Sequence, residues 1–84
     1  MEPLDGNAIA GLLREVFGAE MTTAVGTCAA CGTTGQVAET VVYIQAPGTV
    51  MRCRHCANVL MVVVTRREVN CVDLPGLVRL TPAG

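Results

Sequence analysis

The chain has 84 residues, 51% of them hydrophobic, yet only one Phe, one Tyr and no Trp. That length holds one small domain, and a core without large rings has to be filled by Val, Leu, Ile, Ala and Met, with a staple such as a metal or a disulfide to fix it. The formal net charge is −1, which sets up no strong field toward nucleic acid or an anionic membrane.

The charges are unevenly placed. Glu2, Asp5, Glu15, Glu20 and Glu39 face only Arg14 in the first half, whereas Arg52, Arg54, Arg66, Arg67 and Arg79 outnumber Glu68 and Asp73 in the second. The opening MEPLDGNAIAGLL carries acids where a secretory signal needs basic residues. The longest aliphatic run, Val59 to Val64, is far too short to span a bilayer. The expected location is therefore the cytoplasm, with no membrane association.

Residues 5–17 read as a helix. Asp5 is placed to accept a backbone N–H at the helix start, and Ile9, Leu12, Leu13, Val16 and Phe17 form one apolar stripe. Gly18 is suited to the left-handed conformation that ends a helix. The stripe is expected to pack on the chain's own sheet, with a docking helix for a partner as the alternative. Residues 21–81 read as a β-rich part. MTTAVGT suggests a short strand, QVAETVVYIQ a longer one, and APGT a turn through Pro47 and Gly48. NVLMVVVTR does not alternate and reads as a strand buried on both faces or nearly so. VNCVDL is expected to pair back on it, Pro75 and Gly76 to form a turn, and LVRLT to add a last strand.

The chemistry lies in the cysteines. Cys28-x2-Cys31 and Cys53-x2-Cys56 are separated by 21 residues. Two such tight turns can present four thiolates to one ion, and tetrahedral S4 coordination suits zinc, with iron as the less favoured metal. The intervening residues supply a strand, turn and strand that bring the second pair back to the first. Disulfides are unusual in a reducing compartment, and a thioredoxin-type site needs a βαβ context that this pattern lacks. Four protein ligands leave no open position for water, so the expected site is structural, with one zinc per chain and no catalytic residues. His55, inside the second pair, is expected to be exposed or to bond a neighbour. Arg52, Arg54 and His55 flank a centre that would be a net anion, and can offset its charge. Cys71 alternates with Val69 and Asp73 and is expected in the core as a small hydrophobe. No phosphate-binding glycine loop, Ser–His–Asp signature or paired catalytic carboxylates is present.

With the two cysteine turns placed, the whole of residues 1–84 resembles a single zinc-ribbon domain, a small β architecture built on two such loops. The frame MEPLDGNAIAGLL, CAACG, MRCRHCANVLMVVV and DLPGLVRL is similar, more closely, to a family of short, functionally uncharacterised bacterial proteins common in actinobacteria. That resemblance implies an accessory role beside oxidoreductase components. The expected function is a non-catalytic structural-zinc module that binds another protein, a homodimer included. The alternatives are a nucleic-acid-binding zinc ribbon using Arg52, Arg54, Arg66 and Arg67, and a rubredoxin-like iron electron carrier.

Overall fold

The computed structural model describes residues 4–45 and 48–82. Among these residues, eight strands form two antiparallel sheets and one segment is α-helical. In chain order they are β1 (Leu4–Asp5), α1 (Ala10–Phe17), β2 (Val25–Cys28), β3 (Thr34–Gln36), β4 (Val41–Gln45), β5 (Gly48–Arg52), β6 (Val59–Arg66), β7 (Val69–Asp73) and β8 (Leu77–Thr81). The larger sheet runs β1-β4-β5-β6-β7 and the smaller β3-β2-β8. Among the described residues, no helix is long and apolar enough to cross a membrane.

The helical segment is shorter than the expected span 5–17. Its first turn, Gly6–Ile9, is a 3-10 helix, and Asp5 forms the end of a strand while its carboxylate accepts the Asn7 N–H at 3.1 Å. Gly6 lies so close to the Val37 backbone that a β-carbon would sit 2.7 Å from the Val37 carbonyl carbon, so packing sets the tighter first turn. Gly18 closes α1 at φ 72°, donating its N–H to the Arg14 carbonyl at 2.8 Å. The apolar stripe faces the chain's own core. Leu13 and Ile9 are buried, and Leu12, Val16 and Phe17 pack against them.

Two expected strands are shorter than read. Met21 to Ala24 precede the strand because Glu20 organises a turn there. Its carboxylate accepts the Thr22 N–H at 2.8 Å, the Thr22 hydroxyl, and the Thr23 hydroxyl at 2.9 Å. These donors, the Thr22 hydroxyl foremost, hold the Glu20 carboxyl down at about 2. The second expected strand, 36–45, is broken by a 3-10 turn, Val37–Glu39. Here the Val37 and Ala38 N–H groups donate to Ala24 O and Thr22 O, both at 2.9 Å, and the Glu39 carboxylate accepts the Gln36 N–H at 2.9 Å. The break carries the chain from the small sheet to the large one.

In the large sheet, Val42, Met51 and Met61 are successive register partners and are all buried. β4 and β5 pair out to Gln45 and Gly48; Ala46 and Pro47 of the expected turn lie outside the described residues. The register shifts between Met51 and Arg52, leaving Leu60 as an extra residue in β6. This bulge lets the consecutive Leu60 and Met61 both point inward. Beyond it the strand alternates normally, with Val63 buried and Val62 and Val64 half-buried, so β6 is not buried on both faces. The core's largest fully buried side chains are Leu13, Met51, Met61, Val42 and Val63, none of them aromatic.

β7 pairs back on β6 as expected, but Cys71 is exposed. β7 is the edge of its sheet, and Val69, Cys71 and Asp73 share its outer face, where all three are exposed. β8 forms, but it crosses to the small sheet and pairs with β2.

Candidate metal centre

Each cysteine pair closes a hairpin, one from each sheet. Cys28 ends β2, and Cys31 lies in the loop to β3. Cys53 and Cys56 lie in the loop between β5 and β6. The two loops share one backbone design. The Cys28 N–H donates to Thr33 O and the Cys53 N–H to Asn58 O, both at 2.9 Å. The Gly32 N–H donates to Cys28 O and the Ala57 N–H to Cys53 O, again at 2.9 Å. The residue four past the first cysteine is left-handed in both, with Gly32 at φ 75° and Ala57 at φ 63°.

An L-residue in that region costs roughly 1–2 kcal/mol, from which glycine is exempt. Glycine's greater freedom in the unfolded chain returns part of this. Ala57→Gly is therefore expected to stabilise the metal-loaded chain by roughly 0.5–1 kcal/mol, seen as a raised urea midpoint. An unchanged or lowered midpoint would mean that the second loop does not keep this conformation in solution.

The loops bring four sulfurs together. The Sγ atoms of Cys28, Cys31, Cys53 and Cys56 all lie within 4.8 Å of one another. Cys28 and Cys56 approach to 3.6 Å, and Cys31 and Cys53 to 3.7 Å. A disulfide needs about 2.05 Å. A tetrahedron of metal–sulfur bonds of about 2.3 Å has edges of about 3.8 Å, so these separations fit four ligands to one ion. Cys28 and Cys53 are buried, while Cys31 and Cys56 face solvent. Cys71 is on β7 and His55 is exposed, and neither belongs to the group.

Hydrogen bonds surround the sulfurs. The His55 N–H donates to Cys53 Sγ at 3.4 Å, and the Asn58 side-chain amide to Cys28 Sγ at 3.9 Å. Thr33 Oγ1 lies 3.2 Å from Cys31 Sγ. The Thr33 hydroxyl and N–H draw the Cys31 thiol down to about 6, and the Cys31 N–H lowers Cys28. At Cys56 the Asn58 N–H acts downward, but partial desolvation by the loop and the three neighbouring sulfurs outweigh it and push the thiol up to about 12. Four thiols crowded this closely resist full ionisation without a cation between them.

The arginines near the sulfurs are used structurally. Arg52 Nη1 donates to Ala57 O at 2.9 Å, bracing the second loop, and Arg54 lies 3.6 Å from the Glu39 carboxylate in an exposed pair. Arg52 is the register partner of Val59 at the start of β6, and Arg66 ends that strand. Arg52 and Arg66 are thus about 24 Å apart, so the four arginines make no single patch.

Two contributors were not legible as site residues. Asn58 supplies an amide to Cys28. Gly76 wedges between the loops, accepting the Ala29 N–H at 2.8 Å with the Asn58 amide and Val59 backbone against its α-carbon. Pro75–Gly76 reads as a turn in the sequence, but nothing local says what the turn touches. A cavity of ≈ 80 Å³ adjoins the sulfurs, lined in part by Cys28, Gln36, Glu39, Cys53 and His55. That is well below the roughly 300–1,000 Å³ of an ordinary ligand cleft.

The model of a family of unknown function, DUF6510, matches residues 1–83. The chain belongs to that family. The match spans the helix, both sheets and all four clustered cysteines, so the DUF6510 unit here includes the whole candidate centre. No curated protein and no solved structure matches the chain.

Proposed function

We propose that Cys28, Cys31, Cys53 and Cys56 hold one zinc ion in a zinc-ribbon domain, and that the chain is a non-catalytic accessory module acting through contact with another protein. The observation that carries the metal reading is the sulfur spacing, 3.6 and 3.7 Å across the two loops, close to the edge of a tetrahedral tetrathiolate. When bound, the ion supplies a structural cross-link between the hairpins of the two sheets. Four sulfur ligands leave it no position for substrate.

For the partner, the resemblance of the sequence frame points to a component of an oxidoreductase system. The separation of Arg52 from Arg66 by the length of β6 speaks against a phosphate-binding stripe. Rubredoxin-like iron is less favoured because neither Phe17 nor Tyr43 lines the cavity beside the sulfurs.

Metal analysis of protein isolated without added metal is expected to give one zinc per chain and no visible absorption bands. Strong colour with equimolar iron would replace this reading with electron transfer. Affinity isolation from the native host is expected to recover a protein partner that survives nuclease treatment. Recovery that disappears with nuclease would transfer the role to nucleic-acid binding.

A further inference from the structure

The large sheet ends in a strand that is open to another strand. We infer that β7 pairs antiparallel with β7 of a second copy of this chain, about a two-fold axis at Cys71, to make one continuous sheet.

The backbone sets the register. β6 and β7 are joined by Arg67 and Glu68, both at positive φ (50° and 67°), the two-residue primed turn of tight hairpins. The residues flanking such a turn, Arg66 and Val69, form a hydrogen-bonded pair, and bonded and non-bonded pairs then alternate. Val69, Cys71 and Asp73 therefore spend their backbone groups on β6. Asn70 and Val72 face β6 as non-bonded pairs, and the Thr65 hydroxyl meets the Asn70 side chain at 2.6 Å there. Their N–H and C=O groups point outward from the sheet. An antiparallel copy centred on Cys71 sets Asn70 opposite Val72 of the second copy, and Val72 opposite its Asn70. All four outward N–H groups are then satisfied.

The side chains permit the same pairing. Edges are usually protected by lysine, proline, bulges or inward charges, and Val69–Asp73 has none of these apart from Asp73 at its end. In this register Asp73 lies opposite Val69 of the second copy, diagonal to its Arg67. The turn carrying Arg66, Arg67 and Glu68 has an excess of positive charge, so each end of the interface joins opposite charges. Cys71 meets its own copy as a non-bonded pair. The two edges of the small sheet differ: β3 has only three residues, and β8 is centred on Arg79, where two-fold pairing would oppose two arginines, which is unfavourable. At the other edge of the large sheet, β1 already covers part of β4. The inference does not depend on which metal the sulfurs hold.

Sedimentation of the full, metal-loaded chain is expected to give twice the chain mass, falling to one on dilution. Amide exchange at Asn70 and Val72 should slow at least tenfold between the dilute and concentrated states. Val72→Pro removes an outward N–H that β6 does not use and is expected to abolish the dimer. Asp73→Arg should do the same through like charge, and Arg67→Asp combined with Asp73→Arg should restore it. That rescue separates loss of pairing from loss of folding. A monomer at every concentration, fast exchange at Asn70 and Val72 in the concentrated state, or a dimer unaffected by Val72→Pro and Asp73→Arg would overturn the inference.

Discussion

Cys28→Ser, or chelation of the metal, is expected to unfold the chain rather than merely loosen one end. Cys28 and Cys31 come from a hairpin of the small sheet, and Cys53 and Cys56 from a hairpin of the large one. A shared ion would therefore join two layers whose core contains no fully buried ring. Small domains are stable by about 5–15 kcal/mol. Structural zinc in small zinc peptides contributes on the order of 10 kcal/mol, enough to decide between folded and unfolded states. Circular dichroism and amide spectra should show loss of the sheets with chelator and their return with zinc. Cys71→Ser, which alters an exposed cysteine outside the sulfur group, should leave metal content unchanged. Cooperative unfolding of metal-free protein at the original midpoint would show that the sheets hold together without the ion.

The second large effect is expected at Gly76. A β-carbon there would overlap Val59 O, and would lie 2.6 Å from the Asn58 side-chain nitrogen and 2.9 Å from the Val59 carbonyl carbon. Val59 is the first residue of β6, so the turn rather than the strand has to move. That movement breaks the Ala29 N–H to Gly76 O bond and displaces the amide that reaches Cys28. Gly76→Ala is expected to destabilise the loaded chain by about 3 kcal/mol or more and to weaken metal retention against a competing chelator. Gly6→Ala makes an informative comparison. Its β-carbon would overlap the Val37 backbone, which makes no hydrogen bond to a sulfur, so it should lower stability and leave metal retention in the folded state nearly unchanged. Equal metal affinity for Gly76→Ala and the parent chain would remove Gly76 from the site.

How far the sequence could be read depends on how local each feature is. The meeting of the four cysteines was legible because C-x-x-C is a local turn, and two such turns need only one excursion to meet. The helix stripe and the Gly18 stop were legible for the same reason. The break at Val37–Glu39 was not, because Val37 to Ile44 is apolar or β-branched apart from Glu39, and the N–H groups that leave the strand bond to Ala24 and Thr22. The unalternating run in β6 hid a bulge, since burial of Leu60 and Met61 together imitates a strand covered on both sides. Cys71 was misplaced because alternation identifies a face without saying whether anything covers it. The Arg67–Glu68 turn carries none of the Gly or Asn signals that its backbone favours. The choice of β2 over β7 as the neighbour of β8 depends on contacts far apart in the chain.

X-ray absorption on protein purified without added metal addresses the ion and its ligands in one measurement. The expected result is a zinc edge, one ion per chain, and four sulfur neighbours at about 2.3 Å. A metal-free folded protein, an iron edge, or a shell containing nitrogen or oxygen in place of one of the four sulfurs would contradict it.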